Sequence, residues 1–148
     1  MNAPAALARD GLFYLALLAG PLCWLALFPL LAPQPAWGWP LRQPALFLMP
    51  ALVYPVLEEI AFRGLLQELL RERLGAGALG PLTHANLLTS AVFTLLHFLN
   101  HPPLWAALVL LPSLVFGYFK DRTRALTAPV ILHVFYNSGF LWLFAAPG

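Results

Sequence analysis

The segment LEEIAFRG, residues 57–64, carries three charged side chains inside a long apolar stretch. Glu59 and Arg63 are four residues apart with the glutamate first, which is the favoured order for an ion pair on a helix. Glu58 points about 100° away around the same helix and has no such partner. One carboxylate is therefore expected to be neutralised, while the other is available as a base or a ligand.

Two further apolar stretches carry polar residues at helical spacing. AVFTLLHFLNH places Phe93 and His97 at positions i and i+4, and ILHVFYN places His133 and Asn137 at the same spacing. An ionised side chain at the centre of a bilayer costs about 2.5–3.5 kcal/mol, and lipid offers it no hydrogen-bond partner. We therefore expect these residues and the charged trio to face one another inside a helix bundle.

The composition excludes an ordinary soluble domain. Of the 148 residues, 61% are hydrophobic and 9% are charged, whereas a soluble domain is about 25% charged. The net charge of +2 comes without a basic cluster, so no nucleic-acid partner is indicated, and the single cysteine, Cys23, excludes an internal disulfide. The sequence predicts an all-α, polytopic membrane helix bundle whose main partner is lipid, and it gives no oligomeric state.

Five apolar segments, separated by short connections rich in proline, glycine or charge, predict about five transmembrane helices. Their bounds are 12–32, 44–70, 82–100, 104–119 and 126–145. No internal repeat and no second domain are visible. Residues 1–148 are accordingly predicted to form one integral-membrane domain, with the polar motifs in a core from about residue 44 to residue 140.

The three polar motifs resemble those of the CPBP membrane proteases, the family of type II CAAX prenyl endopeptidases and bacteriocin-processing enzymes. EEIAFR resembles the EExxxR motif of the family, FTLLH its FxxxH motif and HVFYN its HxxxN motif, in the same order. The resemblance implies an intramembrane endopeptidase that cleaves a membrane-associated protein or peptide near its C-terminal anchor. Compact members accompany C-terminal sorting signals of the JDVT-CTERM type and are regarded as glutamic-type proteases, and this chain is similar to them.

The resemblance also implies a role for each polar residue. Glu58 is expected to be the general base, and His97 is expected to help hold the attacking water. His133 and Asn137 can donate hydrogen bonds to the oxyanion from one face of their helix. The residues expected to support this group are Glu59, Arg63 and Phe93.

Two alternatives remain open at this point. Zinc could be held by Glu58, His97 and His133 with an open fourth position, although Asn137 is a poor zinc ligand and a good oxyanion donor. The glutamic mechanism needs no cofactor. A non-enzymatic immunity or carrier-type membrane protein could use the same residues for binding or proton transfer, but carriers typically show an inverted repeat.

Basic and aromatic residues predict the orientation of the bundle. With five spans, one side holds Arg9, Arg71, Arg73, Lys120, Arg122 and Arg124, and the other holds Arg42 with Trp37, Trp39, Trp105 and Trp142. Because cytoplasmic loops are enriched in basic residues, the N-terminus is expected in the cytoplasm and the C-terminus outside. The predominance of arginine over lysine is typical of GC-rich bacterial genomes, so the bacterial inner membrane is the expected location.

Reporter fusions test this orientation. A reporter inserted in the segment KDRTR, residues 120–124, should give a cytoplasmic signal, and one at the C-terminus should give an external signal. The opposite pattern at both sites would contradict the predicted orientation.

Overall fold

The structure, a computed structural model, describes residues 7–31 and 36–146. In these ranges the helices are α1 (Gly11–Leu31), α2 (Trp39–Arg42), α3 (Pro44–Leu74), α4 (His84–His97), α5 (Pro103–Thr123) and α6 (Thr127–Phe144). Strands β1 (Ala78–Leu79) and β2 (Leu82–Thr83) form a small antiparallel hairpin, in which Ala78 lies opposite Thr83. The predicted all-α class is confirmed. The end of the first predicted span, residue 32, and part of the connection after it lie outside the described residues.

The four helices α1, α3, α5 and α6 are long and apolar enough to cross a membrane. Helix α4 has 14 residues, which gives about 21 Å at 1.5 Å per residue, short of the ~30 Å hydrocarbon core. The third predicted span, 82–100, is therefore longer than the helix that forms. Its first two residues belong to β2, and Thr83 caps α4 by accepting a hydrogen bond from the backbone N–H of Asn86 at 3.0 Å.

Helix α5 extends further than its sequence predicts. The fourth predicted span ends at residue 119, but the helix continues to Thr123, and Arg124 ends it in the left-handed region with φ of 55°. Lys120 is buried and forms an ion pair with Glu68 of α3. The charged segment 120–124, which the sequence predicts as a loop, is thus partly helical, because Lys120 has a carboxylate partner in the bundle.

A polar seam joins α3 to α5. Arg63 Nη2 donates to the hydroxyl of Ser113 at 2.7 Å and to its carbonyl at 3.0 Å, and Gln67 Nε2 donates to the carbonyl of Gly117 at 3.0 Å. Gln67 follows Arg63 by four residues on α3, and its partner Gly117 follows Ser113 by four residues on α5, so the two helices run parallel. The small residues Ser113 and Gly117 let the backbones approach closely, as is common between membrane helices.

Helix α6 runs antiparallel to α3 and separates it from α1. Gly20 of α1 lies against the ring of Tyr136, and Gly139 of α6 lies against the indole of Trp24. The Tyr136 hydroxyl donates to the carbonyl of Ala16 at 2.5 Å. Close approach at the two glycines therefore packs α1 on the outer side of α6, away from α3.

The two ends of the bundle differ in chemistry. Where α1 begins and α5 ends, Arg122 Nε lies 2.7 Å from Asp10 Oδ2, and this hydrogen bond holds the pKa of the Asp10 carboxyl below its usual value. At the opposite end, Trp39 Nε1 donates to the Trp142 carbonyl at 3.2 Å, and Trp142 Nε1 donates to the Trp37 carbonyl at 3.0 Å. The start of α1 and the end of α6 thus lie at opposite ends of the bundle. Which end faces the cytoplasm stays a prediction.

Gly117 is expected to tolerate no side chain. A Cβ atom there would collide with the buried amide of Asn86, which donates to the Leu114 carbonyl and accepts from Ser90. Gly117→Ala should lower the free energy of unfolding by about 1–3 kcal/mol, the usual cost of overpacking. The measurement is thermal unfolding of the purified protein in detergent.

Gly64→Ala is the matched control. It is also a helical glycine, but its Cβ would make only an ordinary contact of 3.4 Å with Leu126. The higher helix propensity of alanine should leave stability unchanged or raise it by up to about 1 kcal/mol. Equal destabilisation by the two substitutions would contradict the specific clash at Gly117.

Candidate active site

Helix α3 is wider than an α-helix on both sides of the glutamates. The π-helical stretches Met49–Val53 and Ile60–Leu66 flank the α-helical turn Tyr54–Glu59. Such π-helical turns are rare and occur frequently at functional sites. Each wider turn changes the direction in which the following side chains point, so the glutamates need not follow a straight α-helical register.

Asn137 compensates for a defect in this backbone. The N–H of Tyr54 bonds to the carbonyl of Met49, and Pro55 has no N–H to donate. The carbonyl of Pro50 therefore lacks the donor that either helical pattern would supply. The side-chain Nδ2 of Asn137 donates to it at 3.1 Å and so joins α6 to α3. An amide nitrogen carries two hydrogens, and this contact uses one of them.

Glu59 is fully buried, and one of its oxygens forms an ion-pair contact while the other is hydrogen-bonded. Oε2 lies 3.3 Å from Arg63 Nε, and both side chains are 0% exposed. Oε1 lies 2.8 Å from His133 Nδ1. Because a carboxylate only accepts hydrogen bonds, Nδ1 of His133 carries the hydrogen. The structure contains the ion pair expected from the spacing and adds a second partner to the same carboxylate.

Glu58 has a different environment from its neighbour. Its side chain is 34% exposed, and its Oε2 lies 3.6 Å from His133 Nε2. That distance is longer than a direct hydrogen bond. The two adjacent glutamates thus face the two nitrogens of one imidazole ring. A protonated His133 could donate towards both carboxylates, whereas a neutral ring would direct its Nε2 lone pair at Glu58.

His97 approaches this group through an aromatic ring. Its Nδ1 lies 2.8 Å from the carbonyl of Phe93, so Nδ1 carries the hydrogen and Nε2 of the neutral ring is an acceptor. The Phe93 ring centroid lies 4.5 Å from the His97 ring and 6.0 Å from the His133 ring. In the described part of the chain no hydrogen bond or ion pair joins His97 to Glu58. The Phe93 ring is therefore a contact that the two histidines share.

His101 adds a contact that its sequence context does not predict. It precedes Pro102 and is expected to be an interfacial loop residue, and it is exposed in the turn after α4. Its ring nevertheless stacks on His97, with centroids 5.5 Å apart and planes 18° apart. The i, i+4 spacing of the two histidines is the signal that could have indicated this contact.

Sequence reasoning also missed the residues of α5. Ser113 accepts a hydrogen bond from Arg63, and the Phe116 ring stacks on His133 with centroids 4.7 Å apart. The available signal was SLVFG, which has small residues at i and i+4 and so predicts close packing against another helix. Nothing in that signal identifies Arg63 or His133 as the partner.

The predicted zinc ligands do not form a ligand set in this conformation. Each histidine directs its Nδ1 at an oxygen acceptor, which is also the arrangement of metal-bound histidines. Among the residues that the structure describes, however, no three His, Cys, Asp or Glu side chains lie close enough together to hold one metal ion. Glu58, His97 and His133 therefore do not fit a three-ligand zinc site here.

A family model described as type II CAAX prenyl endopeptidase Rce1-like matches residues 40–139. The chain belongs to this family. The match confirms the resemblance carried by the three motifs and includes all of the site residues. As an Rce1-like protein, the chain is an integral membrane protease of the CAAX endopeptidase class, a hydrolase. No curated protein and no solved structure matches it.

The two glutamates of this Rce1-like protein should differ in their effect on stability. Glu59→Gln leaves Arg63 and His133 buried without a carboxylate, and breaking a buried pair costs about 3–5 kcal/mol. Glu58→Gln removes a partly exposed carboxylate without an arginine partner and should change stability little. Thermal unfolding in detergent measures both variants, and a Glu59→Gln protein as stable as Glu58→Gln would contradict the assigned environments.

Proposed function

We propose that this Rce1-like protein hydrolyses a peptide bond of a membrane-associated protein or peptide near its C-terminal anchor, with Glu58 as the general base. The main support for this proposal is the difference between the environments of the adjacent carboxylates of Glu58 and Glu59. Glu59 is enclosed by Arg63 and His133, whereas Glu58 is one-third exposed and, among the residues that the structure describes, forms no ion pair with an arginine. A general base must reach water and must not be permanently neutralised, and Glu58 meets both conditions.

His97 suits a role in holding the attacking water. Its Nδ1–H is committed to the Phe93 carbonyl, which leaves Nε2 as an acceptor for one hydrogen of water. Glu58 accepts the other hydrogen as the water oxygen attacks the scissile carbonyl. The same proton then passes from Glu58 to the leaving amine as the C–N bond breaks, so the carboxylate is regenerated.

The developing oxyanion needs hydrogen-bond donors that are fixed before the reaction begins. Protonated His133 has Nε2–H available, because Nδ1–H is already donated to Glu59. Asn137 has one amide hydrogen left after its bond to the Pro50 carbonyl. The two residues are one helical turn apart on α6, so both donors can point to one oxygen.

The proposed substrate class is a C-terminal sorting-signal anchor in the bacterial inner membrane, with the N-terminus of the protease in the cytoplasm. The glutamates, His133 and Asn137 all lie on helices that are long and apolar enough to span a membrane, which favours a substrate held in the membrane. The arginine-rich end, where α5 stops, and the tryptophan-rich end, where α6 stops, support that orientation.

Glu58→Gln tests the proposed base. The variant keeps the size and hydrogen-bonding capacity of the side chain but cannot accept the proton, so kcat should fall by about 10²–10⁴-fold. The measurement is cleavage, in detergent, of a reporter protein that ends in an apolar segment followed by an arginine cluster. Glu72→Gln, at an exposed position of the same helix, should leave kcat unchanged. Wild-type cleavage by the Glu58 variant would refute the proposal.

Metal content decides between the glutamic and zinc mechanisms. The glutamic mechanism predicts full cleavage of the same reporter in excess chelator and no stoichiometric zinc in active protein. Stoichiometric zinc, with activity lost to chelator and restored by zinc, would instead support the zinc mechanism, in which Glu58, His97 and His133 are the expected ligands. Under that outcome a conformation other than the one described would have to bring the three together.

A further inference from the structure

Helix α5 carries none of the motif residues. It nevertheless contacts His133 directly through Phe116, and through Ser113 it contacts Arg63, the ion-pair partner of Glu59. We infer that Ser113 and Phe116 are positioning residues, which hold His133 with its Nε2 facing Glu58. The inference rests on the proposed function, because it assigns these residues to the reaction in which His133 stabilises the oxyanion. It extends the site to a helix that the three motifs do not include.

The first contact reaches His133 through a chain of buried polar groups. Ser113 Oγ lies 2.7 Å from Arg63 Nη2, Arg63 Nε lies 3.3 Å from Glu59 Oε2, and Glu59 Oε1 lies 2.8 Å from His133 Nδ1. All four residues are buried, so solvent does not readily replace a lost link. A guanidinium is planar and rigid. Nη2 is held at Ser113 by the hydroxyl and, at 3.0 Å, by the backbone carbonyl, and the hydroxyl is the closer of the two. Fixing the Nη2 end at Ser113 therefore fixes where the Nε end presents itself to Glu59.

The second contact is direct. The Phe116 ring stacks on His133 with centroids 4.7 Å apart and planes 22° apart. This contact sets the plane of the imidazole, and an aromatic face also stabilises a positively charged ring. Ser113 and Phe116 are three residues apart and lie on one face of α5. The same face therefore fixes the Nδ1 partner of His133 and the orientation of its ring.

Plain core packing is the competing explanation, and the chain offers matched controls for it. Ser90 is as buried as Ser113, at 0% exposure, but donates to Asn86 within α4. Phe119 is as buried as Phe116, at 2%, but packs edge-on against Phe13 of α1. Each control loses the same atoms from an equally buried place, and the hydrogen bond of Ser90 and the ring contacts of Phe119 involve none of His133, Glu59 and Arg63.

The first experiment compares Ser113→Ala with Ser90→Ala, and Phe116→Leu with Phe119→Leu, in the full chain. It measures kcat and KM for cleavage of the reporter protein that ends in an apolar segment followed by an arginine cluster. Misplaced catalytic groups lower rates steeply, so the α5 site variants should reduce kcat by about tenfold or more, with KM changed less than about twofold. The controls should change kcat by less than about twofold. Equal losses within each pair, or a loss confined to KM, would overturn the inference.

A double-mutant cycle tests the route from Ser113 to His133. If Ser113 acts through Arg63 and Glu59, Ser113→Ala should have no further effect on kcat in a Glu59→Gln background. Multiplying fold-losses in the double variant would show that Ser113 acts independently of Glu59 and would overturn the route.

A readout independent of cleavage separates this inference from the proposed function. In protein labelled with ¹⁵N-histidine, His133 is assigned by its loss in His133→Gln. Its Nδ1 should stay protonated in the wild type, in Ser90→Ala and in Phe119→Leu, whereas Ser113→Ala and Phe116→Leu should show partial loss of the Nδ1 proton. Unchanged His133 signals in both α5 site variants would overturn the positioning role even if Glu58→Gln proves inactive. Partial loss of the Nδ1 proton in these variants would support it even if Glu58→Gln remains active.

Discussion

The organisation of the site depends on one buried carboxylate. Glu59 has no exposed surface, and its two oxygens are shared between Arg63 and His133. In a membrane bundle an unpaired carboxylate at this place would be costly, so the arginine and the histidine must both approach it. The pairing brings α3 and α6 together at one level, and the bond from Arg63 to Ser113 brings α5 to the same place.

The irregular features of the bundle make this convergence possible. In straight spans of full length, Glu58 would lie mid-membrane, and His97 and His133 would lie near opposite membrane surfaces. In the structure, the Leu126 side chain lies beside Gly64 of α3, so α6 starts between one and two turns from the glutamates and His133 follows within two turns. Helix α4 is short and ends at His97, and the wide turns of α3 redirect its side chains. Because Pro55 has no N–H, the carbonyl of Pro50 is free to accept the hydrogen bond from Asn137.

The sequence predicts the helices and part of the site. The remaining features could not be predicted, because they depend on contacts between distant segments of the chain. Hydropathy and charge spacing predict the helices and the pairing of Glu59 with Arg63, because both depend on neighbours along the chain. The extent of α4 and the helical state of Lys120 depend on the β-hairpin and on Glu68, which are tertiary context. The contact of His133 with both glutamates, and the support from Phe116, join segments more than fifteen residues apart, and no periodicity encodes such contacts.

Adjacent carboxylates can take different roles because the helix separates them in direction before any partner is considered. Glu59 points into the seam between α3, α5 and α6, where Arg63 faces one of its oxygens and His133 Nδ1 faces the other. Glu58 points to the edge of that seam, where the far nitrogen of the same imidazole lies 3.6 Å from it. Burial with fixed partners gives an orienting group, and partial exposure beside a donor gives a group that can exchange a proton with water. His133 connects the two glutamates, because its Nδ1 faces Glu59 and its Nε2 faces Glu58. The ring orientation that Glu59 sets therefore determines where Nε2 lies relative to Glu58 and a bound substrate.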